Sequence, residues 1–266
     1  MLEQSAVPAA RLTAEVLLAH ATHRDRAWLY AHGEDELTER AWIHYGRYLN
    51  ERLSGKPTQY ITHVQEFYGR AFYVNRDVLI PRPETEHLVE AALQFLKAHP
   101  NARVLDVGTG SGAIAISVAC ETAQNVLASD LSQAALAIAE RNRRTHNARV
   151  AFFAADLLDA VEAASIDLLL SNPPYVPGAD AANMQQEVRD WEPHLALFAG
   201  DTGFEIYRRL IAGATRVLRP GGRLIMELGY RSLEGVRDML SPKWSDIKVI
   251  ADLADLPRVI TAALSK

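Results

Sequence analysis

The sequence predicts an α/β protein: a doubly wound, mostly parallel sheet preceded by a small helical bundle. Three observations carry that expectation. From Thr85 onward, short aliphatic strands alternate with amphipathic helices. The first of those strands runs straight into a glycine-rich turn at the mouth of a helix, VLDVGTGSGAIAI. Before Thr85 the apolar residues recur at helical spacing, without strand alternation.

Residues 1–62 read as helices, in TAEVLLAHA, RAWLYAH and LTERAWIHYGRYLNERL. In the third, Trp42, Tyr45, Leu49 and Leu53 form one stripe that is expected to face a partner surface. Residues 1–60 hold seven Lys or Arg and eight Asp or Glu, so this segment is no basic arm. Residues 63–84 carry glycine and proline punctuation with alternating aromatic and aliphatic positions, which predicts a hairpin-like linker. Residues 85–266 are expected to form the catalytic domain: helix TEHLVEAALQFLKAH, strand ARVLDVG, helix SGAIAISVACET, strand NVLASD, helix SQAALAIAERNRRTH, and strands VAFFAAD and IDLLLSN. After a long loop follow helix GFEIYRRLIAGATRVL, strand GRLIMELG, helix SLEGVRDML and strand KVIADLA. Ligands of such sheets bind at the carboxyl ends of the strands.

Composition narrows the classes. A chain of 266 residues with 48% hydrophobic and 23% charged residues is a globular protein. No apolar run reaches the roughly 20 residues that span a bilayer, and no signal peptide is read at the N-terminus, so a cytoplasmic protein without a membrane partner is expected. A formal net charge of -5 disfavours a protein whose main task is gripping nucleic-acid phosphate. The single cysteine, Cys120, lies in an apolar helix, and the nine histidines form no convincing ligand set, so no metal is expected.

Gly108, Gly110 and Gly112 let the turn adopt left-handed dihedrals and let a ligand approach the backbone. Asp130 ends the next strand twenty residues after Gly110, where an acid reaching a ribose diol belongs. The pattern indicates an adenosine-type cofactor and leaves NAD and S-adenosylmethionine both open; no Gly-Lys-Ser/Thr follows to make a phosphate loop. Asp106 and Asp156 stand at the same sheet edge, as pocket residues or as caps.

SIDLLLSNPPYVPG ends a buried strand on two prolines. Both residues that precede a proline are pushed to extended dihedrals, giving a stiff segment that displays the Asn172 side chain, the Pro173 carbonyl and the Tyr175 ring. Two acceptors and a ring face suit a planar NH2 whose lone pair must be aimed at an electrophilic methyl group.

Asn172-Pro173-Pro174-Tyr175 together with Gly108-Thr109-Gly110-Ser111-Gly112 resembles the amino-methyltransferases of the Rossmann-like, S-adenosylmethionine-dependent fold, which modify adenine N6 or glutamine N5. GKPTQYI, EFYG and LIPRPETE, with EPHLALFAGDTGFEIYRRLI and LRPGGRLIMELGY, are similar to the release factor glutamine methyltransferases, the HemK-like family, over nearly the whole chain. That resemblance implies an enzyme using S-adenosyl-L-methionine to methylate the glutamine of the Gly-Gly-Gln motif in peptide chain release factors. It implies that residues 1–62 recognise substrate, and that the cofactor is held by Gly108, Thr109, Gly110, Ser111, Gly112, Asp130, Asp156, Leu157 and Asn172. Pro173, Pro174 and Tyr175 would complete the glutamine pocket with Asn172, and Arg82 is the residue of PRPETE expected to touch a ligand. Leu157 stands where many members carry an aromatic residue, and His63 where the family has glycine. A monomer is expected, with no direct nucleic-acid binding. The competing readings are a DNA adenine-N6 methyltransferase, which needs a basic cleft and a target-reading domain, and a binding module that has kept the cofactor fold.

Overall fold

The computed structural model describes residues 2–5, 7–240 and 242–265; the outermost positions of the expected 1–62 and 85–266 segments lie outside the described residues. The chain forms two compact units, residues 1–64 with 185–191, and residues 65–184 with 192–266.

The first unit contains α1 (Ala10–Thr22), α2 (Arg26–Ala31), α3 (Glu39–Leu53) and α4 (Thr58–Thr62). Asp25 and Thr38 cap α2 and α3 by accepting the Trp28 and Ala41 amides, which satisfies donors left without intrahelical partners. The expected stripe on α3 is only partly inward: Trp42 is 66% exposed, and the buried residues of this helix are Ala41 and Arg52. Arg52 is buried because its guanidinium donates to Glu187 over 2.6 Å. Glu187 belongs to α8 (Gln186–Trp191), in the segment that returns to this unit from the loop after the proline pair. A buried charge survives only with such a partner.

From residue 65 the second unit holds a hairpin, β1 (Val64–Phe67, its first residue counted with the first unit) and β2 (Arg70–Tyr73), and a 3-10 turn over Pro83–Thr85 that runs into α5 (Glu86–Ala98). Then come β3 (Val104–Val107), α6 (Ala113–Thr122), β4 (Val126–Asp130), α7 (Gln133–Thr145), β5 (Val150–Ala154) and β6 (Ile166–Ser171). The remainder is α9 (His194–Leu197), α10 (Glu205–Val217), β7 (Leu218–Glu227), α11 (Leu233–Met239), β8 (Trp244–Ala251) and β9 (Pro257–Leu264).

Among the described residues the main sheet has seven strands in the order β5-β4-β3-β6-β7-β9-β8. β5, β4, β3, β6 and β7 run parallel; β9 is antiparallel to β7 and to β8. Strand β9, which carries no expected element in the sequence reading, slots between two strands that precede it. Leu168, Leu169 and Leu170 on β6 are fully buried, as the central strand of a sheet covered on both faces requires, and each contributes about 2 kcal/mol through removal from water. One face packs α5 and α6 through Leu88, Ala92, Ile116 and Val118; the other packs α10 through Tyr207, Leu210, Ile211, Ala214 and Val217. No helix among the described residues is long and apolar enough to cross a membrane.

The strand order fixes where a ligand belongs. β3 leads through α6 to β4 on one side and has β6 on its other side, so the crevice at their carboxyl ends is the topological switch point of the sheet. The turn after β3, the end of β4 and the segment after β6 all open there.

Candidate active site

A cavity of about 250 Å³ lies at these strand ends. Gly108, Gly110, Asp130, Asp156, Leu157, Asn172 and Pro174 line it, with apolar walls from Leu131, Leu195 and Ile206. Gly108 (φ 71°) and Gly110 (φ 55°) are left-handed, and a Cβ built on either meets no heavy atom within 4 Å. Dihedral strain and not crowding therefore demands glycine at these two positions, and both leave backbone open to a ligand. Gly112, also left-handed at φ 82°, has a second reason: an added Cβ would stand 2.8 Å from Ile116 Cδ1 and 3.3 Å from Ala139 Cβ, so this glycine permits close packing of α6 and α7.

Thr109, Ser111 and Gly112 are buried and do not line the cavity; they hold the loop from beneath. Thr109 Oγ1 donates to Asp106 Oδ2 over 2.6 Å. Asn142 Nδ2 donates to the Ser111 carbonyl, tying the loop to α7. Asp106 is 0% exposed, and burial pushes its carboxyl up to about 7 despite the Thr109 bond. It supports the loop and does not face the cavity.

Asp130 accepts the Gly110 amide at Oδ2 and the Ser132 amide at Oδ1, each over 2.8 Å. Ser132, not Asp130, caps α7, accepting from the Ala135 amide. Burial shifts the Asp130 carboxyl upward, against those two amides. Each oxygen keeps a lone pair, so the carboxylate remains able to accept from a vicinal diol while it locks the glycine turn. Asp156 pairs with Arg209 across 2.8 Å. Leu157 holds φ 50°, a left-handed conformation rare for a leucine, and offers the cavity an aliphatic surface.

Asn172 follows β6 and is half-buried; its Nδ2 donates to Thr85 Oγ1 over 3.1 Å. Tyr175 is not a cavity wall. Its ring packs against Gly229, where an added Cβ would come within 2.5 Å of Tyr175 Cδ2, and its carbonyl sits 2.6 Å from a Cβ built on Gly203. Burial first, then the charge of Glu227, raises the phenol to about 12, so Tyr175 is a neutral ring at ordinary pH. Pro173 is buried behind the cavity wall. Arg82 is also outside the cavity: its guanidinium donates to Glu192, a buried carboxylate that accepts the Ile80 amide at its other oxygen. That pair joins the segment before α5 to the loop before α9.

Sequence reading missed Thr85, Glu227, Gly203 and Gly229. Gly229→Ala is expected to lower turnover by about tenfold or more while the chain still folds, because the backbone there needs no left-handed φ and the clashes are with two side chains, the Tyr175 ring and the Ser232 hydroxyl, and not with backbone; steady-state kinetics and a melting curve on the one variant separate the two effects.

Residues 87–190 match the family described as Methyltransferase small domain, and residues 1–62 match the PrmC N-terminal domain. A release factor glutamine methyltransferase of Koribacter versatilis is 44% identical over 97% of this chain and 93% of its own. The chain belongs to the release factor glutamine methyltransferase family. A second member of that family, from Nitratidesulfovibrio vulgaris, is 42% identical over 98% of this chain and 90% of its own. Among solved structures, a methyltransferase from Pyrococcus furiosus, 16% identical, superposes with a TM-score of 0.55 over 83% of this chain and all of that one, a likeness of fold alone. The cavity at the switch point is the candidate site in this fold.

Proposed function

We propose that this protein transfers a methyl group from S-adenosyl-L-methionine to the side-chain amide nitrogen of the Gly-Gly-Gln glutamine in peptide chain release factors. The observation that carries this reading is the placement of Asn172 at the edge of the cavity that Gly108, Gly110 and Asp130 line. The residues fit the cofactor: two left-handed glycines with open Cβ space, a carboxylate with free lone pairs, and an aliphatic wall at Leu157 for a purine face. Gly108 and Gly110 would hold its amino-acid end, Asp130 its ribose hydroxyls. Bound there, it supplies an electrophilic methyl group.

The chain's own residues supply alignment. Asn172 Oδ1 and the Pro173 carbonyl accept the two protons of the target amide, so that the nitrogen lone pair, delocalised in the free amide, is aimed out of the amide plane. Such acceptors strengthen as the nitrogen becomes positive and so favour the transition state over the ground state. No side-chain base is needed beforehand, because the nitrogen loses its proton only after the new bond forms; a neutral Tyr175, its ring packed against Gly229, suits a support for the segment and not a base. The helical segment 1–62 is assigned to substrate recognition.

Incubating the chain with methyl-labelled cofactor and a release factor is expected to label the protein carrying Gly-Gly-Gln and not its Gln→Ala variant. Equal labelling of both would sink the reading, and label in N6-methyladenine of added DNA would replace it.

A further inference from the structure

Two buried side chains stand behind Asn172 in an order that is chemically directional. Glu227 ends β7 and is 3% exposed; Thr85 closes the 3-10 turn before α5 and is 4% exposed. Thr85 Oγ1 donates to Glu227 Oε2 over 2.5 Å, and Asn172 Nδ2 donates to Thr85 Oγ1 over 3.1 Å. A hydroxyl has one proton. Once that proton is committed to a carboxylate, which only accepts, the threonine oxygen has nothing to offer Asn172 except a lone pair. It must therefore take the nitrogen end of the asparagine amide, and the oxygen end is left for the other side.

We propose that Thr85 and Glu227 are positioning residues for methyl transfer, setting the Asn172 amide so that its oxygen and not its nitrogen meets the target amide. The inference rests on the proposed amide substrate, whose NH2 group is a double donor. With Asn172 flipped, donor would oppose donor, and the acceptor that favours the transition state would be lost. Nothing in the Asn-Pro-Pro-Tyr segment itself can make this choice, since the two ends of an asparagine amide have the same shape.

The groups around Glu227 make the direction of the chain dependent on its charge. Glu84 on the 3-10 turn opposes ionisation, Arg258 on β9 favours it, the Tyr175 phenol lies near by, and the Tyr207 hydroxyl donates to the Glu227 backbone carbonyl. Burial dominates and raises the carboxyl to about 7. Protonated Glu227 becomes a donor to Thr85, whose own proton is then released towards Asn172, and the oxygen end of the amide becomes its better partner.

The test is a set of variants of the full chain, with turnover on a release factor followed against pH and the Asn172 side-chain amide signals followed by NMR without substrate. Thr85→Ser, which keeps the hydroxyl, should retain wild-type kcat. Thr85→Val, of the same shape without the hydroxyl, and Glu227→Gln should each lower kcat by about 10- to 100-fold with the cofactor KM unchanged. Glu227→Gln should also remove an acid limb of the kcat profile centred near 7. The Asn172 signals of the wild-type chain should shift with the same midpoint and cease to do so in Glu227→Gln. Full kcat in Thr85→Val, or Asn172 signals indifferent to pH across that range, would overturn the inference. A wild-type chain that labels no release factor would instead overturn the proposed function, and the NMR arm would still decide whether Glu227 directs Asn172. If Glu227→Gln fails to fold, the two Thr85 variants and the wild-type titration decide the question.

Discussion

Asn172→Ala is expected to lower kcat by on the order of 10²–10³-fold while the melting temperature stays nearly unchanged. The two effects separate because the side chain is not what holds this segment. Pro173 and Pro174 fix their own φ, β6 is anchored by three fully buried leucines, and Tyr175 is wedged against Gly229 and Gly203. The Asn172 amide donates to Thr85 and makes a hydrogen bond that favours ionised Glu227, each worth about 1 kcal/mol net. Their loss leaves no orphaned donor, since the Thr85 proton already serves Glu227. In catalysis the same amide is an acceptor whose bond grows as the target nitrogen becomes cationic, so removing it should depress kcat and kcat/KM together. Steady-state kinetics beside calorimetry on one preparation makes the comparison. Near-normal kcat would remove Asn172 from the centre of the mechanism.

The residues of this site were legible where a backbone constraint is written into the residue type. Glycines with left-handed φ after a strand, an acid at the end of the next strand and a proline pair after a third all announce themselves, and the sheet brings them to one cavity. Thr85, Glu227 and Gly229 were not legible. A threonine in a helix start, a glutamate at a strand end and a glycine after it each have ordinary uses, and only the crossing of β6, β7 and the turn before α5 makes them neighbours. Arg82 is a different case: a cation near a ligand site draws attention, and in the structure it is paired with a buried carboxylate 110 residues on.

The fold follows the same division. Parallel strands and their helices were readable from alternation, whereas β9 was not, because its turn from β8 carries no glycine. Asp252 builds that turn instead, accepting the Ala254 and Leu256 amides and pairing with Arg258, with Asp255 left-handed at φ 56°. His63 makes a similar point. It occupies a left-handed position at the end of α4 (φ 59°), so the turn that the family makes with glycine is kept here without one. On α3, helical spacing located the helix but not its buried face, since Arg52 took an inward place through Glu187 while Trp42 stayed outside.

Folding stability is expected to fall as pH rises from about 4 to about 7, by about 4 kcal/mol through Asp106 alone at the upper bound. In the unfolded chain this carboxyl releases its proton near its ordinary value of 3.8; in the folded chain burial holds the proton until about 7. Within that window the folded state binds more protons than the unfolded state, so the slope of unfolding free energy against pH is negative. Glu227, raised to about 7 from 4.5 by burial, adds to it with the same sign. Other groups act elsewhere or oppositely: Glu15 and Glu140, held near 2 by their hydrogen-bonded partners, contribute stability that is lost below 4.5, and the lowered His20 gives a positive slope. The clean measurement is therefore a difference. Urea unfolding of the wild type and of Asp106→Asn at pH 5 and pH 8 should show the wild type losing up to about 3 kcal/mol more between the two conditions, whatever the absolute stability of the variant, because the other groups titrate in both. Parallel behaviour would mean that Asp106 is ionised in the folded state across the whole range. The negative slope places its cost beneath the glycine loop, since Thr109 stands on the Asp106 carboxyl: the turn that would cradle the cofactor is built on a group that resists ionisation, and a ligand binding only the folded chain offsets that cost by mass action.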